Sequence, residues 1–130
     1  MLSLSGNTAP YLQYAYARIQ SIFRKGDIAK SAVRDAPGEI RLAAPEEIAL
    51  ARNLLNFGLV LEAAAEEYRP NFICNYLFEL ATHFSRFFEN CPVLKAEPAE
   101  RASRLALCDL TARVLAQGLE ILGIETVPSM

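Results

Sequence analysis

The sequence predicts an all-α fold, a bundle of four to five helices forming a single domain over residues 1–130. Three observations lead there. Apolar residues recur at three- and four-residue intervals along four long segments, prolines and glycines fall at their ends, and no segment alternates apolar and polar residues as a strand would. No internal repeat or low-complexity tract interrupts this pattern. A chain of this size buries roughly two-thirds of the surface it exposes when unfolded, so one core suffices without disulfide or metal staples.

The first helix is expected over residues 10–25. Asn7 and Thr8 are N-cap candidates, and Pro10 falls in the first turn, where its missing N–H costs nothing. Leu12, Tyr16, Ile19 and Phe23 form one inward stripe, and Gly26 is placed as the C-terminal stop. Residues 26–44 carry only a weak helical pattern between Ile28 and Arg34, followed by Pro37 and Gly38, which predicts a short helical turn and a mobile connection. Pro45-Glu46-Glu47 restarts a helix with acidic groups against the positive end of its dipole, and Leu50, Leu54, Phe57 and Leu61 follow at helical spacing. Gly58 is expected to kink or divide that helix before it ends at Tyr68-Arg69-Pro70.

From Pro70-Asn71 the next helix carries Ile73, Leu77, Leu80, Phe84 and Phe87 on one face, and Asn90-Cys91-Pro92 stops it. The last helix runs from Pro98-Ala99-Glu100 to Gly123 with Leu105, Cys108, Ala112, Leu115, Leu119 and Leu122 inward. Its opposite side, Leu107, Leu110, Val114 and Ile121, is also apolar, which marks a helix central to the bundle or packed against a neighbour. Residues 124–130 form a short non-helical tail that can dock.

Composition narrows the function classes. With 52% apolar and 22% charged residues and no uninterrupted apolar run near the ~20 residues of a membrane span, the chain reads as a globular protein without a membrane partner. Its start lacks a basic region followed by an apolar stretch, so a cytoplasmic location is expected. A formal charge of −2 argues against a DNA-coating protein, and any nucleic-acid contact must be local. Cys74, Cys91 and Cys108 lack ligand or redox spacing and read as small buried hydrophobes. His83 stands alone, so neither a metal site nor a catalytic residue is assigned.

Tyr11, Tyr14 and Arg18 are spaced three and four apart, on a face distinct from the inward stripe, with Gln13 beside them. Two phenol rings, an amide and a guanidinium offer stacking faces, donors and acceptors for base edges, and a cation for phosphate. The same residues also suit half-buried tyrosines and an arginine lying along the bundle. Asn75, Tyr76, His83 and Arg86 pose a second choice. Asn75, Glu79 and Arg86 share a face that is either the polar rim of a base pocket or a solvated stripe with a Glu79-to-Arg86 network. The basic residues Arg24, Lys25, Lys30 and Arg34 either follow an RNA backbone or are ordinary surface charges. A helical protein-interaction or dimerisation module without RNA binding is the alternative function. A self-standing enzyme using Glu66 and Glu67 fares worse, because adjacent helical residues diverge by about 100°.

Three stretches, GNTAPYLQYAYARIQSIFRK (6–25), PNFICNYLFELATHFSRFFENCPVLKAE (70–97) and RLALCDLTARVLAQGLEILGIETVPSM (104–130), resemble in order and spacing the C-terminal domain of bacterial arginyl-tRNA synthetases. The resemblance covers essentially the whole chain. It implies a DALR-type helical anticodon-binding domain of a class I synthetase, with the anticodon stem-loop of arginine tRNA as partner. The tRNA-binding residues it implies are Tyr11, Gln13, Tyr14, Arg18, Asn75, Tyr76, Arg86 and Met130. Every arginine anticodon has a central C, so one pocket for that base serves all isoacceptors. The His-Ile-Gly-His-like and Lys-Met-Ser-Lys-like signatures of the family's catalytic domain are missing here. The chain is therefore expected to be a monomeric, catalytically inactive fragment without cofactor of its own, with ATP and Mg used by the full-length enzyme. Two departures stand out: Val127-Pro128-Ser129 replaces the usual acidic-basic pair before the final Met130, and Gly58 stands where a proline is usual.

Overall fold

The computed structural model describes residues 8–35 and 39–126, apart from the side chains of Thr8 and Asp35. Six helical segments follow one another: α1 (Thr8–Lys25), α2 (Lys30–Asp35), α3 (Pro45–Leu55), α4 (Phe57–Glu67), α5 (Asn71–Asn90) and α6 (Pro98–Ile121). No strand occurs among the described residues. α3 and α4 are the two halves of one interrupted rod, so the described residues form five helices, within the four to five expected. The N-cap candidate Asn7, the Pro37-Gly38 pair and residues 127–130 lie outside the described residues.

α5 and α6 form the centre. α5 packs on α1, α3, α4 and α6, while α6 also receives α1, α2 and α3. The expected inward face of α5 is wholly buried, from Ile73 to Phe87. α6 is buried on one side through Leu105, Cys108, Ala112, Leu115 and Leu119 and on the other through Leu107, whereas Leu110 and Ile121 stay exposed. The α5–α6 approach is close: a Cβ at Gly118 would stand 2.7 Å from the Leu77 methyl carbons. All three cysteines are free and buried.

Helix ends were only partly foreseen. α1 does stop after Lys25, but the left-handed residue is Asp27, at φ 52°, not Gly26. Asp27 N–H donates to the Arg24 carbonyl at 3.1 Å and Ile28 N–H to that of Phe23 at 3.0 Å, the paired bonds of a Schellman motif. A Cβ at Gly26 would instead meet the ends of the Leu94 and Ile28 side chains at 2.7 Å, so both would have to shift. α6 closes the same way on Gly123, at φ 77°, with Ile124 N–H bonded to the Leu119 carbonyl at 2.8 Å.

The α3–α4 rod also departs from expectation. Its interruption falls at Asn56, two residues before Gly58, and Gly58 sits within α4 with nothing within 4 Å of its Cβ direction. By length and composition Pro45–Glu67 could cross a bilayer. Its beginning is nevertheless tied into the bundle. Glu47 accepts the Ala44 N–H at 2.9 Å and pairs with Arg104 Nε at 3.3 Å, while Arg104 Nη1 donates to the Pro92 carbonyl at 2.7 Å. One buried guanidinium thus links α3, α6 and the loop after α5.

α2 is held through its basic side chains. Arg34 forks onto Asp109 of α6 at 2.9 and 3.0 Å, and that hydrogen-bonded partner raises the guanidinium pKa further. Lys30 donates to Gln20. The extended segment before α3 is fixed by the Ser103 hydroxyl, which accepts the Arg41 N–H at 2.8 Å.

Candidate nucleic-acid interface

α1 buries Leu12, Ala15, Ile19, Ile22 and Phe23, which turns Tyr14 and Arg18 outward one helical turn apart. Tyr14 is 49% exposed. The Arg18 guanidinium carbon lies 5.1 Å from the Tyr14 ring centroid and 5.6 Å from that of Phe88 on α5. Its Nη2 donates to the Tyr14 hydroxyl at 3.4 Å. A planar cation bridging two aromatic rings orients both, each such contact contributing about 0.5–1 kcal/mol at an exposed site.

This cluster edges a groove of about 640 Å³ between α1, the end of α5 and the loop that follows it. Ala17, Ile22 and Val93 give it apolar lining, and its charged residues are Arg18, Arg24, Lys25 and Lys95 against Glu89. On a chain of net charge −2, that is a local excess of positive charge. Tyr11 meets Phe78 and Arg18 meets Phe88, so α1 and α5 run in the same direction and both end at this groove.

Tyr11 and Gln13 belong to the other end of α1. Tyr11 is half-buried with its ring centroid 5.3 Å from Phe78, and Gln13 Nε2 donates to the Glu125 carbonyl at 2.8 Å. The chain past α6 is thereby tied to α1 beside Tyr14. Met130 lies outside the described residues.

The α5 residues divide. Tyr76 is a correction to the sequence reading: it is buried, stacked 5.7 Å from Phe57, and its hydroxyl donates to the Asn53 carbonyl at 2.6 Å. The phenol, pushed up to about 12 by burial, serves the α3–α4–α5 contact and shows only a small part of its surface, in the wall of the groove against α4. The reason is angular, since one residue on from exposed Asn75 the helix turns by about 100° into its neighbours. Asn75 and Glu79 border a smaller groove of about 400 Å³ against α4. Arg86 is exposed further along α5 and lines neither groove. No ion pair joins Glu79 to Arg86 among the described residues. Of the expected residues, then, Tyr14 and Arg18 share a groove, Tyr11 and Gln13 lie before them toward the other end of α1, and Asn75 borders the separate groove against α4.

Phe88 and Lys95 were missed by sequence reasoning. Phe87 and Phe88 are adjacent, and only one of two adjacent helical residues can face the core. That was the available signal. Arg34 and Lys30, by contrast, are engaged within the fold. No three His, Cys, Asp or Glu side chains converge among the described residues.

The sequence profile described as the DALR anticodon binding domain matches residues 12–130. The arginine–tRNA ligase of a Synechocystis species is 56% identical over all 130 residues, which correspond to 22% of that protein. That of Hahella chejuensis is 49% identical over the same span, again 22% of its length. Among solved structures, Thermus thermophilus arginyl-tRNA synthetase superposes with a TM-score of 0.78 at 36% identity, over 93% of this chain and 21% of the other. Arginyl-tRNA synthetase from Plasmodium falciparum gives 0.84 at 33% identity, over 99% of this chain and 22% of the other. The chain thus spans about a fifth of the length of these relatives.

Proposed function

The chain belongs to the DALR anticodon-binding domain family, and on that premise we propose that it binds the anticodon stem-loop of arginine tRNA on the outer face of α1. The observation that carries this reading is the Tyr14–Arg18–Phe88 cluster, an exposed ring pair oriented by a guanidinium at the mouth of a basic groove. Tyr14 supplies a stacking face for an unpaired base, and Tyr11 and the carbonyl tethered by Gln13 border the same position. Asn75, Arg86 and Met130 are carried as further contacts of the same RNA. Tyr76 is assigned to the support of α5. Within a longer arginine–tRNA ligase, the domain would orient the acceptor end toward the ATP- and Mg-dependent catalytic domain of the same chain, in the cytoplasm. The interaction-module alternative is not favoured, because the relatives named above are tRNA ligases over the whole of this chain.

The test is a titration of the 130-residue chain with an arginine anticodon stem-loop and with its central-C-to-G variant. Salt-sensitive binding that prefers the central C is expected. Tyr14→Ala should weaken it by about 1–3 kcal/mol, the contribution of one stacked base. Equal affinity for both loops would overturn base reading at this face.

A further inference from the structure

Base stacking uses only the N-terminal part of the groove. Its other end holds no exposed aromatic ring but gathers Lys25 at the end of α1 and Lys95 on the loop after α5, with Ser21 between Arg18 and Lys25 on the same side of the helix. The two lysines come from segments 70 residues apart in sequence and are brought to one place by close packing. Leu94 fills the space beside Gly26 so tightly that a Cβ there would lie 2.7 Å from it. The loop itself is anchored by buried Cys91 and Val93 and by the Arg104 bond to the Pro92 carbonyl at 2.7 Å. A cation at the end of a helix also offsets the negative end of the dipole, which accounts for Lys25 but not for Lys95.

We propose that the interface is divided along α1, with the half around Tyr14 receiving bases while Lys25 and Lys95, on the rim shared by α1 and the 91–97 loop, hold phosphates of the same RNA strand. This rests on the tRNA-binding reading above. Tyr14 and Lys25 are eleven residues apart, about 16 Å along the helix, so one strand laid on α1 can meet both. Phosphate contacts carry no sequence information, so this rim contributes affinity and register, and the Tyr14 end contributes selectivity.

The experiment measures affinity against salt for the 130-residue chain and its Lys25→Gln/Lys95→Gln variant, with the central-C and central-G stem-loops. The expected result is a salt-dependence slope shallower by about 1.4, at about 0.7 per lost single-strand phosphate contact. Affinity should fall by the same factor for both loops, with no more than the small drop in melting temperature that loss of one cation at a helix end brings. An unchanged slope, a loss that differs between the loops, or a lowered melting temperature with an unchanged slope would each overturn the proposal. Should the unaltered chain prefer the central C while the variant keeps its slope, the phosphate rim alone falls. Should the unaltered chain bind neither loop, both readings fall together.

Discussion

Cys108 and Tyr76 are ionisable groups placed where their charged forms are unwelcome. Burial raises the Cys108 thiol from 9.0 to about 12 and the Tyr76 phenol from 10.0 to about 12. In both, the folded state holds the proton more tightly than the unfolded chain. Stability is therefore fully present below about pH 9 and lost as pH climbs toward 12, each group adding a slope of about 1.4 kcal/mol per pH unit within its window. Urea melts at pH 8 and pH 10.5 should show the decline. Cys108→Ala should lessen it while costing stability at neutral pH. An alkaline slope identical in the variant would mean that other groups govern the effect.

At the scale of one element, the α3–α4 rod shows why a glycine in a helical pattern is an ambiguous signal. Gly58 occupies a helical position with open space around it, and the interruption belongs to Asn56. Gly58→Ala should accordingly stabilise the chain by about 0.5–1 kcal/mol, by lowering the entropy of the unfolded state without a clash. A higher urea midpoint with an unchanged slope would show it, and a loss of stability would mean the rod needs freedom at that point. The same rod leaves Leu55 81% and Leu59 67% exposed. α4 ends on Tyr68, a left-handed residue at φ 53° that costs roughly 1–2 kcal/mol relative to glycine.

For the molecule as a whole, the Glu47–Arg104 pair ties the rod, α6 and the loop beneath the basic groove together. Glu47→Ala should lower stability by about 1–3 kcal/mol, because the Arg104 guanidinium keeps Glu100 at 3.0 Å and the Pro92 carbonyl at 2.7 Å but loses its buried partner, and the Ala44 N–H is left without its acceptor. Denaturant unfolding checks the loss. If the loop carrying Lys95 loosens with it, stem-loop affinity should fall as well, although no mutated atom lies in the groove.

The number of helices, their order and most of the core were legible because helical periodicity is local: Leu77, Leu80, Phe84 and Phe87 announce a buried face by spacing alone. Tyr14 and Arg18 were legible for the same reason, as neighbours one turn apart. Periodicity cannot say which of two adjacent residues a neighbouring helix will cover, so it gives no warning that Tyr76, which the family resemblance implies as a contact, is buried, and it singles out no site for Phe88. Nor can it bring Lys25 to Lys95, or Arg34 to Asp109, since those meetings depend on how helices dock across long stretches of chain. The sequence by itself determined which segments are helical and which faces are apolar. The tertiary structure decided which polar groups are consumed in holding the bundle and which remain on the outer side of α1, where the proposed interface lies.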